Sequence, residues 1–157
     1  MNIILFGPPG AGKGTQAKFL IKILDNFQVS TGDMLRDEIK KDTDIGKKII
    51  SYMNEGKFVE DEIVNSLLKK VVFDSSKKGK LIFDGYPRTI EQAKNLDLLL
   101  TESNQQIDFI FFLNVNKETI IKRIEKRKVE EKRGDDDLDT ILKRYDTYLK
   151  TTSPVLD

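Results

Sequence analysis

The stretch Gly7-Pro8-Pro9-Gly10-Ala11-Gly12-Lys13-Gly14-Thr15 sets four glycines, a lysine and a hydroxyl within nine positions. Those residue types at that spacing suit a bound polyanion. Glycine reaches positive φ and lets backbone N–H groups approach phosphate with no side chain in the way. Lys13 then supplies an ammonium for the outer phosphates. The pattern G-x-x-x-x-G-K is complete, but the next position, where Ser or Thr ordinarily meets Mg²⁺, is Gly14. The hydroxyl comes one residue later, at Thr15. Mg²⁺ is therefore expected to be carried by nucleotide phosphates and water, with Thr15 touching phosphate.

Three further segments carry candidate chemistry. In Gln28–Arg36, Ser30 or Thr31 can cap a helix with Asp33 in its first turn; Arg36 is either a solvated side chain or a group sharing a ligand at that helix start. In Lys80–Arg88 an apolar strand ends in Asp84, a Walker-B-type carboxylate placed to hold Mg²⁺ through water. Asp84-Gly85 could also turn a hairpin, but Pro87 spoils a second strand. Thr89 caps the helix that carries Gln92. In 116–127, Arg123 and Arg127 stand four residues apart on one helical face, with Ile120, Ile121 and Ile124 towards the core. That arginine pair suits an anion or an aromatic ligand, or else is a solvated face.

The charge inventory narrows the chemistry. There is no His and no Cys, which excludes imidazole bases, thiolate nucleophiles, disulfides and the usual zinc sites. Lys13, Arg36, Arg88, Arg127, Arg133 and Arg144 fall at loop ends, at helix starts after strands, or on helices beside the polar loop Val129–Asp137. This is more positive charge than one triphosphate needs. It suits two phosphate-bearing ligands face to face, with arginines neutralising the group in flight. An ionised phosphate acceptor also needs no protein base, which fits a chain without histidine.

The elements that must position these groups alternate. Strands are predicted near 2–6, 28–30, 80–84 and 108–113, the last read as fully buried. Helices are predicted near 13–24, 32–41, 45–54, 60–72, 89–100, 116–127 and 137–149. The alternation predicts an open parallel sheet with helices on both faces. Residues 42–60 read as two short helices broken at Gly56, either a mobile flap or a plain helical connection. The three aspartates of 135–137 read as the N-terminus of the last helix. That helix is expected to bury Leu138, Ile141, Leu142, Tyr145 and Leu149, turning Thr140 and Arg144 away. With 157 residues the chain is expected to be a single domain. A net charge of +1 gives no global pull towards nucleic acid or a membrane. No apolar span is long enough to cross a bilayer, and a cytoplasmic location is expected.

Taken together, Gly7–Thr15, Ser30–Arg36, Asp84–Gln92, Arg123–Arg127 and Arg133–Arg144 resemble adenylate kinase over nearly the whole chain. The resemblance implies a P-loop kinase domain over 1–157, with an AMP-binding insertion at 31–60 and a short lid at 127–137. It assigns Gly10, Ala11, Gly12, Lys13, Gly14 and Thr15 to ATP phosphates, with Arg127 beside them and Arg123 stacked on the ATP adenine. Thr31, Arg36, the backbone of Lys57, Phe58 and Val59, Gly85, Tyr86, Pro87, Arg88 and Gln92 would hold AMP. Arg133 and Arg144 would bridge the acceptor and the transferred group. The implied activity is Mg²⁺-dependent conversion of ATP and AMP into two ADP by a monomer, without zinc. Thr31 and Gln92 favour AMP over UMP or CMP, since Gln can pair bidentately with an adenine edge. A uridylate/cytidylate kinase and a nucleotide-binding module without catalysis are the alternatives. Tyr86 stands where the family commonly has Phe, so its hydroxyl needs a partner. Family members continue past Ser153–Asp157 with another strand and helix. The expectation is a chain cut short, with an open sheet edge at 108–113 and ATP affinity in doubt.

Overall fold

The computed structural model describes residues 1–131 and 137–156, the side chains of 129–131 excepted. Strand β1, Ile3–Phe6, is apolar throughout, and none of its side chains exceeds 5% exposure. Burial of both strand faces requires neighbours on either side and covering layers above and below. Strands β2 (Phe27–Ser30), β3 (Leu81–Asp84) and β4 (Phe109–Phe112) supply the rest of a parallel sheet in the order β2-β3-β1-β4.

Seven α-helices are present among the described residues: α1 Lys13–Leu24, α2 Thr31–Lys40, α3 Asp44–Asn54, α4 Asp61–Val72, α5 Ile90–Glu102, α6 Lys117–Glu131 and α7 Leu138–Thr147. Side chains alternate across the sheet. Ile3, Leu5 and Ile82 meet Ala17, Leu20, Ile21 and Leu24 of α1 on one face. Ile4, Phe6, Leu81 and Phe83 join Leu68, Val72, Leu96 and Leu100 of α4 and α5 on the other. The predicted α/β layering is thus observed. Local capping agrees with it: Ser30, Thr89 and Asp137 accept from the backbone N–H of Asp33, Gln92 and Thr140, opening α2, α5 and α7.

Three expectations need correction. Strand 108–113 is not buried: Phe109, Ile110, Phe111 and Phe112 are 51%, 56%, 46% and 49% exposed. β4 pairs with β1 alone and lies at the edge, as expected for this strand, but an apolar run cannot distinguish covered faces from uncovered ones. Between 42 and 60 there is one helix, α3; after the turn at Gly56 residues 57–60 form no regular secondary structure before α4. In α7 Leu138 is exposed, as is Leu149 just beyond it, whereas Thr140 is buried and donates to the Asn54 carbonyl at 3.2 Å. A hydroxyl with a backbone partner replaces the expected leucines at that contact.

Candidate functional site

Parallel strands deliver their C-terminal ends to one side of a sheet, where ligands bind. Here Leu5 lies opposite Asp84, and Ser30 opposite Asp84, so the loops after β1, β2 and β3 open into one cleft of about 1280 Å³. The glycine loop forms one wall. Gly10 has φ +79°, and a Cβ there would lie 2.8 Å from Ile124 of α6. A side chain at this position would be strained and would push the loop from its supporting helix. Lys13 opens α1 and curls back, its Nζ donating to the Gly7 and Pro8 carbonyls at 2.8 and 2.9 Å.

The cleft holds a concentration of positive charge. Lys13, Arg36, Arg88, Arg123, Arg127 and Arg144 all line it, although they come from five different elements or loops. Burial lowers the Lys13 pKa to about 8; Asp84 opposes the shift, while Arg88 and Arg127 add to it. Burial likewise brings Arg88 down to about 10, with Arg144 and Arg36 contributing and Asp84 resisting. Cations gathered in a desolvated site repel each other and favour any anion placed among them.

Arg88 is held from several sides. Its Nε donates to the Gly85 carbonyl at 2.7 Å, its guanidinium lies 5.6 Å from the Phe58 ring centre, its N–H donates to Gln92 Oε1 at 2.8 Å, and its carbonyl accepts from Thr152 Oγ1 at 2.9 Å. Gly85 has φ +77° and lies so close that a Cβ would be 3.0 Å from Arg88 Nη2. The loop continues through a cis Tyr86–Pro87 bond. The Tyr86 hydroxyl finds partners: Asn65, Asn95 and the Gln92 carbonyl lie at 3.1 Å from it.

The remaining expected residues separate into groups. Gly10–Thr15, Lys57, Phe58, Val59, Asp84 and Gly85–Pro87 line the same cleft. Thr31 is buried, its Oγ1 donating to the Gly85 carbonyl at 2.9 Å, and ties the start of α2 to the Arg88 loop. Arg36 is paired with Asp33 at 2.5 Å. Arg123 donates to the Ala11 carbonyl at 2.8 Å, and Arg144 to that of Met53 at 3.2 Å. Gln92 lies buried behind the cleft. Arg133 lies outside the described residues, as does the rest of 132–136. Sequence reasoning missed Gln28, whose Nε2 donates to Asp84 at 3.0 Å, and Thr152, Tyr148 and Asp61. Gln28 carried no motif, and its place beside Asp84 follows from the pairing of β2 with β3.

A family model described as adenylate kinase matches residues 5–157. The chain belongs to the adenylate kinase family. An adenylate kinase of Pelagibacter ubique is 46% identical over 183 positions, covering all of this chain and 86% of its own length. That of Mycoplasma capricolum is 43% identical over 184 positions, with 100% and 85% covered. That of Maricaulis maris is 44% identical over 156 positions, with 99% and 83% covered. The first two alignments are longer than the 157 residues here, so those relatives carry inserted residues, whereas the Maricaulis alignment has no room for an insertion of that size. Family membership makes this a nucleotide-binding kinase fold, and the cationic cleft lies on the ligand-binding side of its sheet. No helix among the described residues is long and apolar enough to cross a membrane.

Proposed function

We propose that this chain transfers a phosphoryl group reversibly from Mg-ATP to AMP, giving two ADP. The observation that carries the reading is the convergence of Lys13, Arg36, Arg88, Arg123, Arg127 and Arg144 on one cleft, two of them buried deeply enough to lower their pKa values. The donor triphosphate lies along Gly10–Thr15 with Lys13 on its outer phosphates. AMP lies between Thr31, Arg36, the Lys57–Val59 backbone and Gly85–Arg88, with Gln92 at its base. Arg123 stacks on the ATP base, Arg127 meets the ATP phosphates, and Arg133 and Arg144 close on the transferred group. The AMP-binding insertion is 31–60 and the lid a short one at 127–137.

The described residues include no cluster of three metal-ligating side chains. The single carboxylate of Asp84 fits Mg²⁺ that arrives on phosphates, because that ion keeps much of its water and takes only one or two protein oxygens. Gln28 holds Asp84 Oδ2 at 3.0 Å and so orients the carboxylate. Bound there through water, Mg²⁺ would neutralise charge on the β- and γ-phosphates. A monomer in the cytoplasm, where the nucleotide pool and a cysteine-free chain are at home, suits the activity.

One coupled assay for ADP with AMP, CMP or UMP as acceptor, with and without Mg²⁺, tests the reading. Rapid Mg²⁺-dependent turnover with AMP is expected. Faster turnover with CMP or UMP would transfer the chain to the pyrimidine kinases, and tight ATP binding without ADP formation would make it a binding module.

The lowered Lys13 pKa also gives a proton linkage. In the free protein the unfolded state binds more protons between about pH 8 and 10.5, so the cost of burying the ammonium is present in full below that window and is relieved as pH rises. A phosphate beside Lys13 raises its pKa again. ATP binding near pH 9 is therefore expected to take up a proton, and near pH 7 to take up almost none. Calorimetric titrations in two buffers of different ionisation heat measure this. Lys13→Arg, permanently charged, should abolish the uptake.

A further inference from the structure

Gln92 is only 4% exposed, and both polar atoms of its amide have partners. Oε1 accepts from the Arg88 N–H at 2.8 Å, and Nε2 donates to Asp61 Oδ1 at 2.5 Å. The two contacts have opposite polarity and cannot be satisfied by the flipped amide, which would set an N–H₂ against the Arg88 N–H and an oxygen against a carboxylate. The backbone on either side is fixed as well: the Gln92 N–H is capped by Thr89 Oγ1 at 3.1 Å, and its carbonyl accepts from the Tyr86 hydroxyl at 3.1 Å. Asp61 belongs to the first turn of α4, on a different segment from the acceptor loop.

We infer that Asp61 is a positioning residue that sets the acceptor-base specificity of this kinase through Gln92. The inference rests on the proposed role of Gln92 at the acceptor base. With one hydrogen of Nε2 committed to Asp61 and one lone pair of Oε1 to Arg88, the amide keeps one donor and one acceptor in a fixed order. A 6-aminopurine presents the complementary pair, an N1 acceptor and an N6 donor. A 6-oxopurine presents the reverse, an N1 donor and an O6 acceptor, and meets like against like. Asp61 also binds the amide by a charge-assisted hydrogen bond, the stronger of the two kinds. Without it the amide is held at one point and turns out of the plane of the base.

The test compares AMP with inosine monophosphate as acceptors for the full chain, with kcat and KM measured separately. Wild-type protein is expected to favour AMP strongly. Asp61→Ala should raise the AMP KM about tenfold, leave kcat little changed, and lower the AMP-over-inosine preference by a similar factor. Asp61→Asn, whose amide oxygen can still accept from Nε2, should retain the preference. In a Gln92→Leu background Asp61→Ala should change the preference no further, because the two residues act as a unit. Equal losses for both acceptors would mean that Asp61 only ties α4 to α5, and would overturn the inference. So would a further change of preference in the Gln92→Leu background. If Asp61→Ala does not fold, Asp61→Ser keeps a polar first turn yet falls short of Gln92, and carries the same expectations. A wild-type preference for CMP or UMP would instead defeat the proposed function, before any substitution is made.

Discussion

Arg88→Ala is expected to lower kcat by about 10²–10³-fold while the KM for either nucleotide changes far less. The guanidinium uses Nε on the Gly85 carbonyl, its backbone is clamped at both ends by Gln92 and Thr152, and Phe58 lies against its face. That fixation is completed before substrate arrives, and a preorganised charge acts most on the state in which charge shifts between oxygens. Arg88→Lys should not restore turnover, because an ammonium lacks the planar fork that two phosphoryl oxygens can share. The free variant should melt no lower than wild type. Arg144 and Arg36 repel Arg88 in the folded protein, and removing one member of a buried cluster of like charges relieves that cost. Rates from the coupled ADP assay, set beside thermal denaturation, check both halves. Near-normal turnover in Arg88→Ala would remove it from the reaction.

Lys13→Ala is expected to cost about 10²–10³-fold in kcat as well, but with a different signature. In the proposed reading Lys13, at the end of the glycine loop, meets the donor, so the KM for ATP should rise while that for AMP holds. Its Nζ spends two donors on the Gly7 and Pro8 carbonyls, which ties the start of α1 back to the first residues of the loop. The variant therefore loses both a charge and a brace. A rise in the AMP KM of the same size would place Lys13 at the wrong end of the cleft.

Much of this arrangement could be read from the chain alone. The run Ile3–Phe6 followed by Gly7–Thr15 defined strand, loop and helix because local chemistry dictates each: apolar residues for a doubly covered strand, glycines for positive φ, a lysine opening the helix. Ser30, Thr89 and Asp137 marked helix starts for the same local reason. What stayed hidden depends on distant partners. The open edge of β4 was expected, but nothing within Phe109–Phe112 tells that all four side chains are left about half exposed. Thr140 looked like a polar outward position until the Asn54 carbonyl was seen to meet it. Asp61 carried no motif, and its bearing on Gln92 exists only because α4 and α5 pack side by side. Gly10 is a case between: its glycine was expected for phosphate access, but Ile124 standing where a Cβ would go adds a reason from across the fold.

The end of α3 has an implication for how the proposed reaction would be timed. Arg144 Nη2 holds the Met53 carbonyl at 3.2 Å, and Thr140 Oγ1, one turn earlier on α7, holds that of Asn54. A cation at a helix C-terminus is favourable there, and a turn of Arg144 towards a phosphoryl group, as the proposed reaction asks, would draw its guanidinium away from Met53. Filling the cleft would then loosen one latch between α7 and the end of α3 and leave the threonine as a pivot. If Arg144 completes the reaction centre as proposed, it would also report, through the helix it lets go, that both seats are taken.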